Sequence, residues 1–319
     1  MTQTLGAVET ARQIVDGMIN HITTLSEYLP LSPLATFIGI TCASFQITLS
    51  LALSKKAGLV PEGPWSEMPL YTAHQIVATT LMIVFAYFGF AGWFFGSETG
   101  MDSANDRIFG ANADHTYDLL LAIGSGALLL WDIPTGFASP PLRDAVMWLH
   151  HIGMFLVAST MAGTYCEGNQ TIGYYYVPFF FGVIELSSVF LSIMDAFHPK
   201  YKHYHNWLFS MKDSRRKKIL HNCNEFCRVA FAITFLIFRG VYFPYVTFRG
   251  VIPDIREAYQ SPPDTVPAHQ CPLWTGQFLI AAVSLFALLQ AYWGLLVAKM
   301  VVKAIRGSGS SGKKDKKEN

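Results

Sequence analysis

The sequence predicts an all-α fold: a polytopic membrane helix bundle of about seven transmembrane helices, with the N-terminus lumenal and the C-terminus cytosolic. Composition predicts the bundle. Apolar residues make up 51% of the 319-residue chain and fall in long blocks, while charged residues make up 14% and mean hydropathy is +0.31. A soluble core would interleave the two kinds. The distribution of charge predicts the orientation, because a lumenal N-terminus gives the cytosolic segments 16 Lys and Arg and the lumenal ones 4, with 3 more inside spans. That asymmetry follows the positive-inside rule, and a wrong span count would scramble it. The formal net charge of +1 conceals the segregation, so charge here reports orientation, and no nucleic-acid partner is expected.

Residues 1–32 contain no basic stretch leading into an apolar one, so no cleaved signal peptide is expected and the first span acts as the insertion signal. Within them ARQIVDGMINHI sets Ile14, Val15, Met18, Ile19 and Ile22 on one helical side, an amphipathic interfacial or bundle-capping segment. A bilayer core of roughly 30 Å needs about 20 apolar residues per helix. Seven stretches meet that need, at about 33–53, 73–96, 115–134, 147–164, 173–194, 226–246 and 276–302. The polar, acidic GSETGMDSANDRIFGANAD between the second and third lacks the regular Asp spacing of a calcium loop and reads as a solvated lumenal loop. The segment carrying KDSRRKK is cytosolic and attracted to anionic lipid headgroups.

Residues 307–319 read as a flexible cytosolic tail. Lys316 and Lys317 stand fourth and third from its end, the arrangement of a dilysine retrieval signal recognised by coat proteins, which predicts an endoplasmic-reticulum membrane location. Five cysteines at irregular spacing make no disulfide framework, and the spacing leaves open whether Cys166 and Cys271, both in short loops, pair. The sequon NQT at Asn169 lies too close to the membrane for glycosylation to be expected.

Ionisable residues in hydrocarbon cost about 2.5–3.5 kcal/mol on insertion scales, so they face partners or water, and depth becomes a pairing rule. Glu185 lies about ten residues from the cytosolic end of the fifth span and Arg239 about thirteen from that of the sixth, an offset of about 5 Å. An intramembrane ion pair between them is expected, read as a structural clamp because a neutralised pair has little reason to react. His150 and His151 in MWLHHIGMFL share a layer with Asp132 near the end of the third span. A carboxylate beside an imidazole fixes its tautomer and raises its basicity. Adjacent helical residues point about 100° apart, so one ring is expected to open into the bundle and the other to meet a neighbouring helix.

Several blocks then occur in a recognisable order: DRIFG ahead of a span ending in LLLWDI, the LHH pair, VIELSSVFLSIMD, FAITFLIFRGVYFPY and LLQAYWGLLVAK. In that order and spacing, residues 71–306 resemble the TLC domain shared by ceramide synthases, translocating-chain-associated membrane proteins and the ceroid-lipofuscinosis protein of the endoplasmic reticulum, with 33–54 as an extra transmembrane helix before it. The resemblance implies a lipid protein whose helices enclose a cavity open to the cytosol and whose partners are membrane lipids and fatty acyl chains. It implies acyl transfer with acyl-coenzyme A as co-substrate and no bound cofactor. Carried over by position, His150, His151 and Asp132 form the acyl-transfer centre, one histidine removing a proton from the acceptor or carrying the acyl group. The family's glutamate and arginine fall on Glu185 and Arg239.

The departures carry weight too. Where ceramide synthases have a polar signature ending in a His-Asp-x-x-Asp cluster, this chain reads YYYVPFFFGVIELSSVFLSIMD and keeps only Asp195. That argues against sphingoid-base acylation and leaves open a non-catalytic lipid sensor, binder or cargo escort. The ten histidines also suggest di-iron desaturases, but Met147 stands where an HxxHH box needs its first histidine. His198, His203, His205, His221, Cys223 and Cys227 lack paired CxxC spacing, so no metal site is expected.

Overall fold

The computed structural model describes residues 33–96, 101–110, 120–198, 202–212, 214–260 and 271–311. The expected amphipathic segment within 1–32, the start of the third span before Leu120, and Lys316 and Lys317 lie outside them. Among the described residues, the structure is an all-α membrane bundle. Six helices are long and apolar enough to cross a bilayer: α1 Pro33–Leu53, α2 Pro69–Phe95, α3 Leu120–Ala138, α5 Tyr174–Met194, α6 Arg215–Gln260 and α7 Leu273–Arg306. Between the third and the fifth lies α4, Ala145–Met161, a shorter apolar helix whose 17 residues reach about 25 Å.

Neighbour contacts give the helix directions. Ala35 lies against Gly126 and Gln46 against Trp131, so α1 and α3 run parallel. Gly124 lies near Ala158 and Gly136 near Trp148, so α3 and α4 are antiparallel. His150 meets Trp293, and Tyr165, just past the end of α4, meets Trp274, so α4 runs antiparallel to α7 along its whole length. Thr79 bonds Ser192 while Gly89 meets Gly182, and Phe190 meets Phe226 while Glu185 meets Arg239, so α5 runs antiparallel to α2 and to α6; the disulfide Cys166–Cys271 marks the end where α4 stops and α7 begins. The opposite end, where α6 starts at Arg215–Lys218, is the basic end.

Lipid tails are as apolar as leucine, so helices in a bilayer hold together by close packing at small residues. A Cβ added to Gly126 would overlap the Ala35 backbone, and one added to Gly89 would overlap Gly182, which brings α1 onto α3 and α2 onto α5 at backbone contact. Gly126→Leu is therefore expected to part α1 from α3 and cost about 1–3 kcal/mol. Gly240→Ala, whose new Cβ would meet nothing nearer than 3.7 Å, should be close to neutral. Thermal unfolding of the purified protein in detergent checks both, and equal melting of the two variants would refute the packing argument.

The two ends of the bundle are filled differently. At the disulfide end Trp93 packs on Phe179 at 5.2 Å and donates its indole N–H to Tyr242 at 3.0 Å, while Phe179 meets Tyr242 edge-on at 5.1 Å. These interlocked rings leave no room for a ligand. There α6 also continues to Gln260, past the span end expected near 246. The helix continues because its buried Asp254 is neutralised: Arg107 donates to both carboxylate oxygens at 2.6 and 2.8 Å, and the Tyr176 hydroxyl donates to the same group. The hydrogen bonds and field of Asp254 hold the Arg107 pKa above its ordinary value. Arg107 sits on the short helix Ala104–Phe109, which buries Ile108 and Phe109 and is capped reciprocally by Ser103 and Asp106. This corrects the expectation of a solvated loop for residues 101–110.

Several spans are not regular α-helix. Wider π-helical turns occupy Ile123–Asp132 in α3, Phe179–Val183 in α5 and Phe235–Tyr242 in α6. Each extra residue in such a turn rotates everything after it about the helix axis.

Candidate functional site

In the basic-end half, α2 to α7 enclose a cavity of about 1170 Å³. That exceeds the about 300–1,000 Å³ of ordinary small-molecule sites. Its walls run from Phe181 on α5 to His198 just beyond it, from Glu225 to Arg239 on α6, and from Trp293 to Ile305 on α7. No lining residue comes from the aromatic plug at the disulfide end, so the cavity is blind there and extends toward the basic end. The walls are mostly Leu, Met, Val, Ile and Phe; His198, Glu225 and Arg228 line the cavity toward the basic end, and a second set of polar residues forms a belt deeper in.

That belt holds His150, His151, Asp132, Glu185 and Arg239. Asp132 is the last residue of the π-helical stretch of α3 and is 8% exposed. One of its oxygens accepts a hydrogen bond from His151 Nδ1, and the other lies 3.4 Å from His74 Nε2. Asp132 thus bridges two imidazoles from two helices. His151 remains accessible, its side chain 28% exposed and lining the cavity, whereas the His74 side chain is 8% exposed and stacked on Trp131 at 4.9 Å.

His150, one residue along α4, has different neighbours. Its ring meets Phe286 at 5.5 Å and Trp293 at 5.8 Å, both on α7, and its buried Nδ1 has no hydrogen-bond partner among the described residues. An orphaned polar atom in an apolar wall is costly and draws a polar group of a guest. The rings of His150 and His151 are 5.7 Å apart and both line the cavity. His150 is thus the ring that meets a neighbouring helix and His151 the one bonded to Asp132, and both open on the cavity.

Arg239 is 5% exposed and donates from Nη2 to Glu185 at 3.0 Å and to Ser188 Oγ at 2.8 Å, and from Nε to the Ile184 carbonyl at 3.0 Å. The Phe235 ring lies 5.9 Å from its guanidinium carbon. The structure thus joins α5 and α6 across the cavity wall at the depth of the histidines.

Outside the belt, His203 bonds Glu67, and Cys223 and Cys227 on α6 are thiols. Among the described residues no three His, Cys, Asp or Glu are placed to hold a metal ion. The side chains of Asp195 and Asn169 lie outside the described set.

Sequence reasoning missed His74. With the second span starting near 73, His74 stands at the membrane boundary and needs no partner. The helix starts at Pro69, one turn earlier, which draws His74 into the layer of Asp132. The Pro at a helix's first position was the available signal.

A family model described as the TLC domain matches residues 72–299. No curated protein and no solved structure matches the chain.

Proposed function

Because the chain belongs to the TLC-domain family of multi-pass membrane proteins, we propose that it is an endoplasmic-reticulum lipid enzyme that transfers an acyl group from acyl-coenzyme A to a membrane lipid, with His151 as general base. The observation that carries this reading is His151 hydrogen-bonded through Nδ1 to Asp132 on the wall of a large apolar cavity. A ring held in that tautomer keeps its lone pair on Nε2. Nε2 takes the proton of the acceptor's hydroxyl or amine as that atom attacks the thioester carbonyl. The carbon–sulfur bond then breaks, and the imidazolium returns the proton to the departing thiolate. His150 offers its unpartnered nitrogen to the polar part of the bound acyl group, and the apolar walls hold the chain.

The orientation has support beyond basic-residue counts. Disulfides persist in oxidising compartments, and the Cys166–Cys271 bridge lies at one end while the thiols of Cys223 and Cys227 lie near the other. That favours a lumenal disulfide end, a cavity mouth toward cytosolic coenzyme A, and a tail on the side where Lys316 and Lys317 meet coat proteins.

The test is lipid profiling of cells expressing the wild type, His150→Ala or His151→Ala at equal level and location. One acyl-lipid class is expected to fall to the background of non-expressing cells with His151→Ala, and to fall less with His150→Ala. Identical profiles for wild type and His151→Ala would refute acyl transfer and leave lipid binding or sensing without turnover.

A further inference from the structure

The helix α1 lies outside the residues matched by the family model, and among the described residues none of it lines the cavity. It nevertheless reaches the site. Its face toward α3 carries Ala35, Gly39, Cys42 and Gln46, at the i, i+4, i+7, i+11 spacing of one helical stripe, and all four are buried. The first three are small and let the backbones touch. The fourth is a long amide, 2% exposed, which hydrocarbon tolerates only when paired.

Its partner is Trp131, whose indole N–H donates to Gln46 Oε1. Thr135 Oγ1 stands 3.5 Å from the same oxygen while donating to the Trp131 carbonyl at 2.7 Å. Trp131 in turn lies against His74, with 27° between the ring planes, and His74 faces Asp132, the residue after Trp131. One chain of contacts therefore runs from α1 through a tryptophan to the carboxylate that bonds His151.

The backbone alone holds this turn of α3 weakly. Residues 123–132 are π-helical, and Pro134, two residues on, has no N–H to donate back into the ladder. We infer that Gln46 is a positioning residue of the site: by pinning the Trp131 indole it sets the roll of the last turns of α3, and with it the aim of Asp132 at His74 and His151. Its catalytic consequence rests on the function proposed above. The geometric consequence stands without it.

The experiment uses the purified full chain and diethyl pyrocarbonate, which acylates imidazole nitrogen that no proton occupies, with the rate at His151 followed by peptide mass spectrometry at pH 8, where the rings are neutral and the tautomer decides the rate. Gln46→Met keeps length and removes the oxygen, and Trp131→Phe keeps a ring on His74 and removes the N–H. Either change lets Asp132 turn away, so the His151 proton is no longer held on Nδ1 and the lone pair no longer on the accessible Nε2; each should lower the His151 rate by about tenfold, toward the rate of Asp132→Asn. Cys42→Ala, on the same stripe, controls for loosened packing and should leave the rate at the wild-type value. A wild-type rate in Gln46→Met, or an equal fall in Cys42→Ala, overturns the inference. The readout needs no turnover, so an inactive wild type would sink the acyl-transfer reading and leave this test intact. If turnover is present, Gln46→Met should lower kcat with little change in KM, because the residue touches no substrate.

Discussion

Asp132→Asn should leave the bundle folded and lower acyl transfer by about 10²–10⁴-fold. The amide matches the carboxylate in shape, so the packing around Trp131 and His74 is preserved. What changes is the hydrogen-bond code. A carboxylate only accepts, so it forces the proton of His151 onto Nδ1; an amide can turn its NH2 toward that nitrogen and send the proton to Nε2. The lone pair is then lost from the atom that must act as base. Turnover of a labelled long-chain acyl thioester by purified protein, beside its melting temperature, measures both halves. Turnover within twofold of wild type would remove Asp132 from the mechanism, and a collapsed melting temperature would make its role structural.

Arg239→Ala is expected to cost about 3–5 kcal/mol of stability. Glu185, whose side chain is 13% exposed in the intact bundle, would lose its arginine partner, and Ile184 and Ser188 would lose a hydrogen-bond partner. The double replacement Arg239→Met with Glu185→Leu should recover most of the loss, because removing both charges removes the desolvation penalty along with the attraction. Denaturation of the purified variants in mixed detergent gives the comparison. If the double variant is as unstable as the single one, the pair is no simple clamp, and its bonds to Ile184 and Ser188 carry the stability.

Some of this could be read in the chain and some could not. Counting residues from the span ends put Glu185 near Arg239, and Asp132 near His150 and His151, in common layers; the structure brings the first two to 3.0 Å and hydrogen-bonds Asp132 to His151. The same counting failed for His74, because its result depends on where a helix starts, and the apolar block of α2 begins later than the helix does. It failed for residues 247–260 as well. Their polarity reads as loop, yet Asp254 is matched by Arg107 from 147 residues away, a partner that no local pattern reveals. The bridge Cys166–Cys271, across 105 residues, is of the same kind.

Taken by itself, the sequence determined the helical class, the succession of spans, and the layers that Glu185 shares with Arg239 and Asp132 with His150 and His151. These follow from solvation, which acts on each segment whatever its neighbours are. The tertiary structure alone decided which way each group faces, that His74 and Gln46 serve the site, and that one half of the bundle is hollow while the other is plugged. Direction around a helix depends on π-helical turns and on glycine contacts between particular pairs of helices, so it exists only once the helices have packed.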